Sequence, residues 1–280
     1  MSSVVTYVAS PDFAVNLYVS IHSLFQSGPN VDRVKVFSVG GDMPNIEALS
    51  APVEVEEVKN KNRKYFLENK TYISEVNSSQ VVYLDCDTVV LENINTIWNK
   101  KNAKFVARKD SAYESGEYFS VEKWECLASK SGASKGPYFN SGFFGFRGGR
   151  HKKVGGLWER LCREEYEKGR RSAFAKFQGA RMIEQMSLSL SVLREIEDVR
   201  VMEEKEHVYG WEVPPDSVSD EAVVYHTGSR GGRHLKYALA LSRRGLVNFN
   251  EPVISSATHP LFLRLQAYDL AYRAKEFFPV

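Results

Sequence analysis

An α/β fold, with a mixed and mostly parallel sheet flanked by helices, is what this sequence predicts, and three observations predict it. A strand, a helix and a second strand follow one another at the amino end, which calls for a right-handed crossover and parallel pairing. A later strand-like run, VVYLDCDTVVL at 81–91, is apolar throughout except for two carboxylates. Strand-like and amphipathic stretches then alternate as far as residue 226. With 280 residues, 43% hydrophobic and 26% charged, the chain can bury one full core, and we expect a single domain over 1–245 with a helical extension at 246–280.

Taken in order, VVTYV at 4–8 reads as the first strand and Ala9-Ser10-Pro11-Asp12 as the loop leaving it. Leu17, Ile21, Leu24 and Phe25 recur at helical spacing until Gly28-Pro29 stops the helix. VKVFSV at 34–39 is a second strand, closed by Gly40-Gly41, and VEVEEV at 53–58 alternates like a half-buried strand at a sheet margin. Residues 59–80 are polar and basic and lead to a helix before the carboxylate-bearing strand. Residues 93–99 read as a turn, 105–107 as a strand, and 110–136 as an insertion over the top of the sheet. YFNSGFFGF at 138–146 returns to strand character, with small residues where a ligand can approach backbone. Helices are expected at 157–166 and within 174–193, where Ile183, Met186 and Leu190 share a core-facing side. VVY at 223–225 is a last strand, ending at His226-Thr227-Gly228.

The stretch that asks for an explanation is 81–91. In strand period, Asp85 and Asp87 point to one face, and two carboxylates in an apolar segment need a cation to compensate them. They stand at the carboxyl end of a strand, where open α/β sheets gather ligands, so a divalent metal is the simplest compensation.

Composition narrows the function classes. The formal net charge of +2 does not argue for nucleic acid. Basic clusters at 147–153 and 168–171 read as solvated surface, whereas the one at 230–236 lies beside His226 and suits an anionic ligand. Cys86, Cys126 and Cys162 have neither disulfide-framework nor zinc-site spacing, which favours a reducing, cytoplasmic compartment. No secretory signal is expected at the amino end, and no apolar run approaches the ~20 residues that cross a bilayer. The aromatic and basic stretch 261–278 packs on the domain or lies peripherally on a membrane surface.

The order of these features resembles the GT-A fold glycosyltransferases, most closely the retaining family 8 enzymes that include glycogenin and bacterial lipooligosaccharide galactosyltransferases. The residues that carry the resemblance are Ala9-Ser10-x-Asp12 after the first strand, a basic residue before the Asp85-Cys86-Asp87 strand, Phe139-Asn140-Ser141-Gly142, Glu184-Gln185, and His226-x-Gly228. They span residues 4 to about 236. The resemblance implies a Rossmann-like GT-A domain that transfers a hexose from a nucleotide-diphosphate donor, UDP-sugar favoured, to a glycan, lipid-linked or small-molecule hydroxyl acceptor. It also admits a homodimer. Asp85, Asp87 and His226 would ligate Mn²⁺ or Mg²⁺, which withdraws electrons from the leaving diphosphate as a Lewis acid. Ala9, Ser10 and Asp12 would lie near base and ribose. Lys70, with Arg63 and Lys64 as rivals, would contact phosphate or sugar. Cys86, Ser141 and Gly228 join the donor site, and Asn140, Glu184 and Gln185 would reach the sugar and the reacting carbon.

Two departures from the family pattern stand out. Glu184 replaces the usual Asp, which lengthens the arm and bears on sugar identity. Ser229-Arg230-Gly231-Gly232-Arg233-His234-Leu235-Lys236 stands where the family often has Lys-Pro-Trp, and we expect a loop whose Arg230, Arg233 and backbone amides wrap the diphosphate. The resemblance also implies retention by a front-face route, in which the departing phosphate helps deprotonate the acceptor and Gln185 assists. Two other readings compete. The 81–89 run also resembles the first motif of haloacid-dehalogenase-type phosphatases, with Asp85 as nucleophile, but no Asp-Asp pair follows downstream. A nucleotide-sugar-binding module without turnover is the non-enzymatic alternative.

Overall fold

In the computed structural model, β1 (Ser3–Ala9) is buried along its whole length, as a run of apolar residues without clean alternation requires of a strand covered on both faces. The structure describes residues 2–28, 30–43, 52–62, 64–98, 102–111, 120–178, 182–229 and 232–248. Most of the expected extension at 246–280, together with Arg63 and Arg230, lies outside them.

Helix α1 (Ala14–Gln26) carries the chain over to β2 (Arg33–Val39), which pairs in parallel with β1. Beyond β2 lies β3 (Val53–Val58), an edge strand whose alternating acids meet Lys35 of β2, which pairs with both Glu54 and Glu56. On the other side of β1 runs β4 (Gln80–Leu84), also parallel. Next come β7 (Phe139–Arg147), antiparallel to β4, then β6 (Phe105–Lys109) and β8 (Val199–Val201). The seven-stranded order is therefore β3-β2-β1-β4-β7-β6-β8. A small second sheet, β5-β10-β9, is made of β5 (Thr88–Val90), β9 (His207–Tyr209) and β10 (Val224–His226).

Helices cover both faces. On one side α1, the small sheet and α6 (Gly232–Arg243) share a core with Val5, Val82 and Phe143. On the other, α3 (Arg150–Lys168) and α5 (Ile183–Glu195) close over Tyr83, Phe105 and Phe144, with Trp158 fully buried between them. Ile183, Met186 and Leu190 face this core as their spacing predicts. The helix expected within 174–193 is α5, and a short α4 (Ala173–Gln178) precedes it.

Several expectations need correction. The 81–91 run is not one strand: β4 stops at Leu84, Asp85-Cys86-Asp87 turns, and β5 resumes in the other sheet. The Thr88 hydroxyl, donating to the Asp85 carbonyl at 2.7 Å, closes that turn. The helix expected before β4 is a 3-10 run, Phe66–Glu75. The insertion at 110–136 contains helix α2 (Val121–Lys130), capped by the Ser120 side chain. The loop expected through 236 gives way to α6 at Gly232, because Leu235, Ala238 and Leu241 recur at helical spacing and bury in the core.

Candidate active site

One sheet edge collects the chemistry. The carboxyl ends of β1, β4 and β6 and the amino end of the antiparallel β7 all lie there, since Leu84 pairs with Phe143 and Lys109 with Phe139. Asp85, Asp110 and Asn140-Ser141-Gly142 are therefore neighbours. His226 joins them from the small sheet, where it pairs antiparallel with Thr88, the residue after Asp87. The Thr227 amide and hydroxyl both donate to the Asp87 carbonyl, at 2.9 and 3.0 Å, and pin the two segments together.

Ligand atoms of Asp85, Asp87 and His226 lie within 4.8 Å of one another, and His226 Nε2 is 3.1 Å from Asp87 Oδ1. Burial by itself raises the Asp87 carboxyl, but the His226 imidazole, helped by His234 and Lys70, more than offsets it and the group is held at about 2. Burial likewise favours neutral His226, and Asp87, then Asp85, reverse the sign and raise its pKa. Packing rather than a second hydrogen bond orients the ring, since Nδ1 has no partner among the described residues. The His207 ring stacks on it at 5.8 Å and 5°. A Cβ at Gly142 would stand 2.4 Å from His226 Cε1, so only glycine lets the imidazole sit against β7. Two half-buried carboxylates and an imidazole this close are a donor set that a hard divalent cation accepts, and the site fits one.

Lys70 supports the pair from behind. Buried on the 3-10 run, its Nζ lies 2.9 Å from Asp85 Oδ1 and 4.0 Å from Glu184 Oε2, and it donates to the Ser141 carbonyl at 3.0 Å. Desolvation would lower the ammonium, yet Asp85 and Glu184 raise it, so the charge is kept. The Tyr83 hydroxyl donates to Asp85 Oδ1 at 2.8 Å. An Asp85 carboxylate so engaged is poorly placed as the nucleophile of a phosphatase.

Glu184 and Gln185 open α5. Ser141 donates its hydroxyl to Glu184 Oε2 at 2.9 Å and its amide to Gln185 Oε1 at 3.1 Å, while Gln185 Nε2 donates to Asp110 Oδ2 at 2.9 Å. The Gln185 amide orientation is thereby set by one donor and one acceptor. Asn140 extends the same network to Asp110 at 3.4 Å and accepts from the Gly142 amide at 2.8 Å.

Burial raises the Glu184 carboxyl to about 7, against the opposing pull of Lys70. The folded protein thus holds a proton that the unfolded chain, with its carboxyl near 4.5, releases. The stabilisation is fully present below pH 4.5 and is lost as pH rises through 7, a change of roughly 3 kcal/mol. We expect thermal melts in a metal-chelating buffer to show this fall between about pH 5 and about pH 8, and Glu184→Gln to flatten it. Equal slopes in the two proteins would contradict the assignment.

Other residues expected at the site lie at varying distances from the metal-ligand cluster. Ser10 and exposed Asp12 sit at the turn after β1, beside β4 on the same sheet edge. The buried Cys86 thiol donates to the Val8 carbonyl at 3.6 Å. Lys64 is exposed, and Arg233 is exposed on the first turn of α6. Gly228, at φ +60, lies where a Cβ would stand 2.7 Å from the Trp211 ring.

Sequence reasoning missed Asp110, Tyr83, His234 and Trp211. Nδ1 of His234, an imidazole that burial takes down to about 4, lies 2.9 Å from the Thr227 hydroxyl, behind Asp87. Of the four, Asp110 had a signal: a carboxylate just past a strand, as at Asp85.

Residues 4–154 match the sequence model of glycosyl transferase family 8, more than half of the chain. No curated protein sequence matches. Among solved structures, the chain is similar to galactosyltransferase LgtC in complex with donor and acceptor sugar analogs, at TM-score 0.56 and 15% identity over 87% of this chain and 100% of that one. An active-site mutant of LgtC gives TM-score 0.57 at 14% identity over 86% and 95% of the two chains. The bifunctional glycosyltransferase WbbM, in an apo structure, gives 0.59 at 13% identity over 95% of this chain and 51% of that one, so this chain spans about half of WbbM. At such identities the likeness is one of fold, the GT-A fold.

Proposed function

The chain belongs to glycosyl transferase family 8, and from that premise we propose that it moves a hexose from a UDP-sugar to a hydroxyl acceptor, with divalent-cation dependence and retention of anomeric configuration. The observation that carries the proposal is the convergence of Asp85, Asp87 and His226 at the sheet edge where β1 and β4 end and β7 begins. These three side chains would hold Mn²⁺ or Mg²⁺, and the ion would supply Lewis-acid stabilisation of the leaving diphosphate.

The remaining work falls to the protein. Lys70 and Tyr83 fix the Asp85 carboxylate from behind. Ala9, Ser10 and Asp12, which leave the same sheet edge from β1, would contact the nucleoside. The amino end of α6 opens shortly after His226, and the backbone amides of its first turn, with Arg233, would suit phosphate oxygens. Ser141, itself held by Lys70 and Gln185, presents Glu184 and Gln185 as one unit towards the sugar. In transfer the sugar C1–O bond to phosphate breaks, the acceptor oxygen bonds to C1 on the same face, and its proton passes to the departing phosphate. Gln185, locked between Ser141 and Asp110, positions the reacting carbon and carries no proton itself.

Among the described residues no helix is long and apolar enough to cross a membrane. The experiment is UDP release from a panel of UDP-hexoses with Mn²⁺ or with a chelator. Metal-dependent release from at least one donor is expected. Phosphate release from simple monoesters, or nucleotide-sugar binding without turnover, would replace the proposal with one of its rivals.

A further inference from the structure

Trp211 is 53% exposed, whereas the other tryptophans, Trp98, Trp124 and Trp158, are at most 4% exposed. It follows β9 and stacks on Tyr209 at 4.5 Å and 10°, with its ring 5.5 Å from that of His226. Its Nε1 reaches the Ser111 hydroxyl at 3.4 Å, next to Asp110, which holds Gln185. An indole this large is costly to leave in water, and this one is braced from behind and spans from the metal-ligand side of the site to the Gln185 side. The residues proposed for the nucleoside, Ala9, Ser10 and Asp12, leave the sheet edge from β1.

We propose that Trp211 is an acceptor-binding platform that selects a pyranose: the sugar's apolar C–H face lies on the exposed indole and so directs a hydroxyl towards the carbon that Gln185 positions. This rests on the transferase reading above. It also gives Gly228 a role, since any side chain there would collide with the indole at 2.7 Å.

The test uses the full chain with Mn²⁺ and UDP. Because Trp211 is the exposed tryptophan, iodide quenching of fluorescence reports on it. Methyl pyranosides, oligosaccharides and alkyl glycosides at about 50 mM serve as probes, and their rank separates simple, glycan and lipid-linked acceptors. We expect at least one pyranoside to shield Trp211. In acceptor-stimulated UDP release, Trp211→Ala should raise the KM for that sugar about tenfold, with a smaller effect on kcat and on UDP affinity, and Trp211→Tyr should restore most of the loss. No shielding by any pyranoside while UDP still binds would overturn the proposal, as would an unchanged acceptor KM in Trp211→Ala or a loss confined to UDP affinity. Failure of UDP to bind the wild-type chain would overturn the transferase reading first, and this proposal with it.

Discussion

Asp87→Asn is expected to lower kcat/KM for metal-dependent UDP release by about a thousandfold or more while leaving the fold intact. The substitution keeps the side chain's shape and removes its charge. That charge is one of the two carboxylates within 4.8 Å of the third donor, and it is the main influence raising His226. Losing a group that only supports a metal ligand typically costs 10- to 100-fold, roughly 1.4 to 3 kcal/mol, so losing a ligand itself costs more. The Asp87 main chain is held independently through the Thr227 bonds to its carbonyl, and circular dichroism should therefore be unchanged. Turnover within tenfold of wild type would mean that the carboxylate pair does not hold the cation.

Lys70→Met should unfold the protein more readily, by about 3–5 kcal/mol or on the order of 10 °C in melting temperature. Lys70 is 5% exposed, and its ammonium stands between Asp85 and Glu184. Without it, among the described residues Asp85 keeps only Tyr83 as a direct side-chain partner, and Glu184 is driven further towards its protonated form. The double variant Lys70→Met/Asp85→Asn should recover part of the loss, because it removes the uncompensated charge as well. A melting temperature within about 2 °C of wild type, with the defect confined to donor KM, would instead make Lys70 a direct donor contact, the role expected from sequence.

How far the sequence could be read follows from these same residues. Asp85 and Asp87 were legible because acids are rare in an apolar run and must be compensated. Their geometry was not. Strand period put them on one face of a continuous strand, whereas Asp85-Cys86-Asp87 is a turn between two sheets, set by tertiary pairing of Thr88 with His226. His226 was reached through family resemblance, since nothing local distinguishes it from a structural histidine. Asp110 lay hidden in a polar stretch that reads as loop, and Tyr83 in a strand where an aromatic reads as core. Trp211 was lost in a segment whose strands, β8 and β9, span only three residues each, too short for alternation to register. In α6 the glycines and arginines at its start outweighed the apolar spacing that follows.

The most direct test is calorimetric titration of UDP into the wild-type chain and into His226→Ala, each with Mn²⁺ and with a chelator. The account predicts that Mn²⁺ tightens UDP binding at least tenfold in the wild type and that His226→Ala abolishes the difference. UDP affinity that ignores Mn²⁺ in the wild type, or a Mn²⁺ enhancement that survives in His226→Ala, would contradict it.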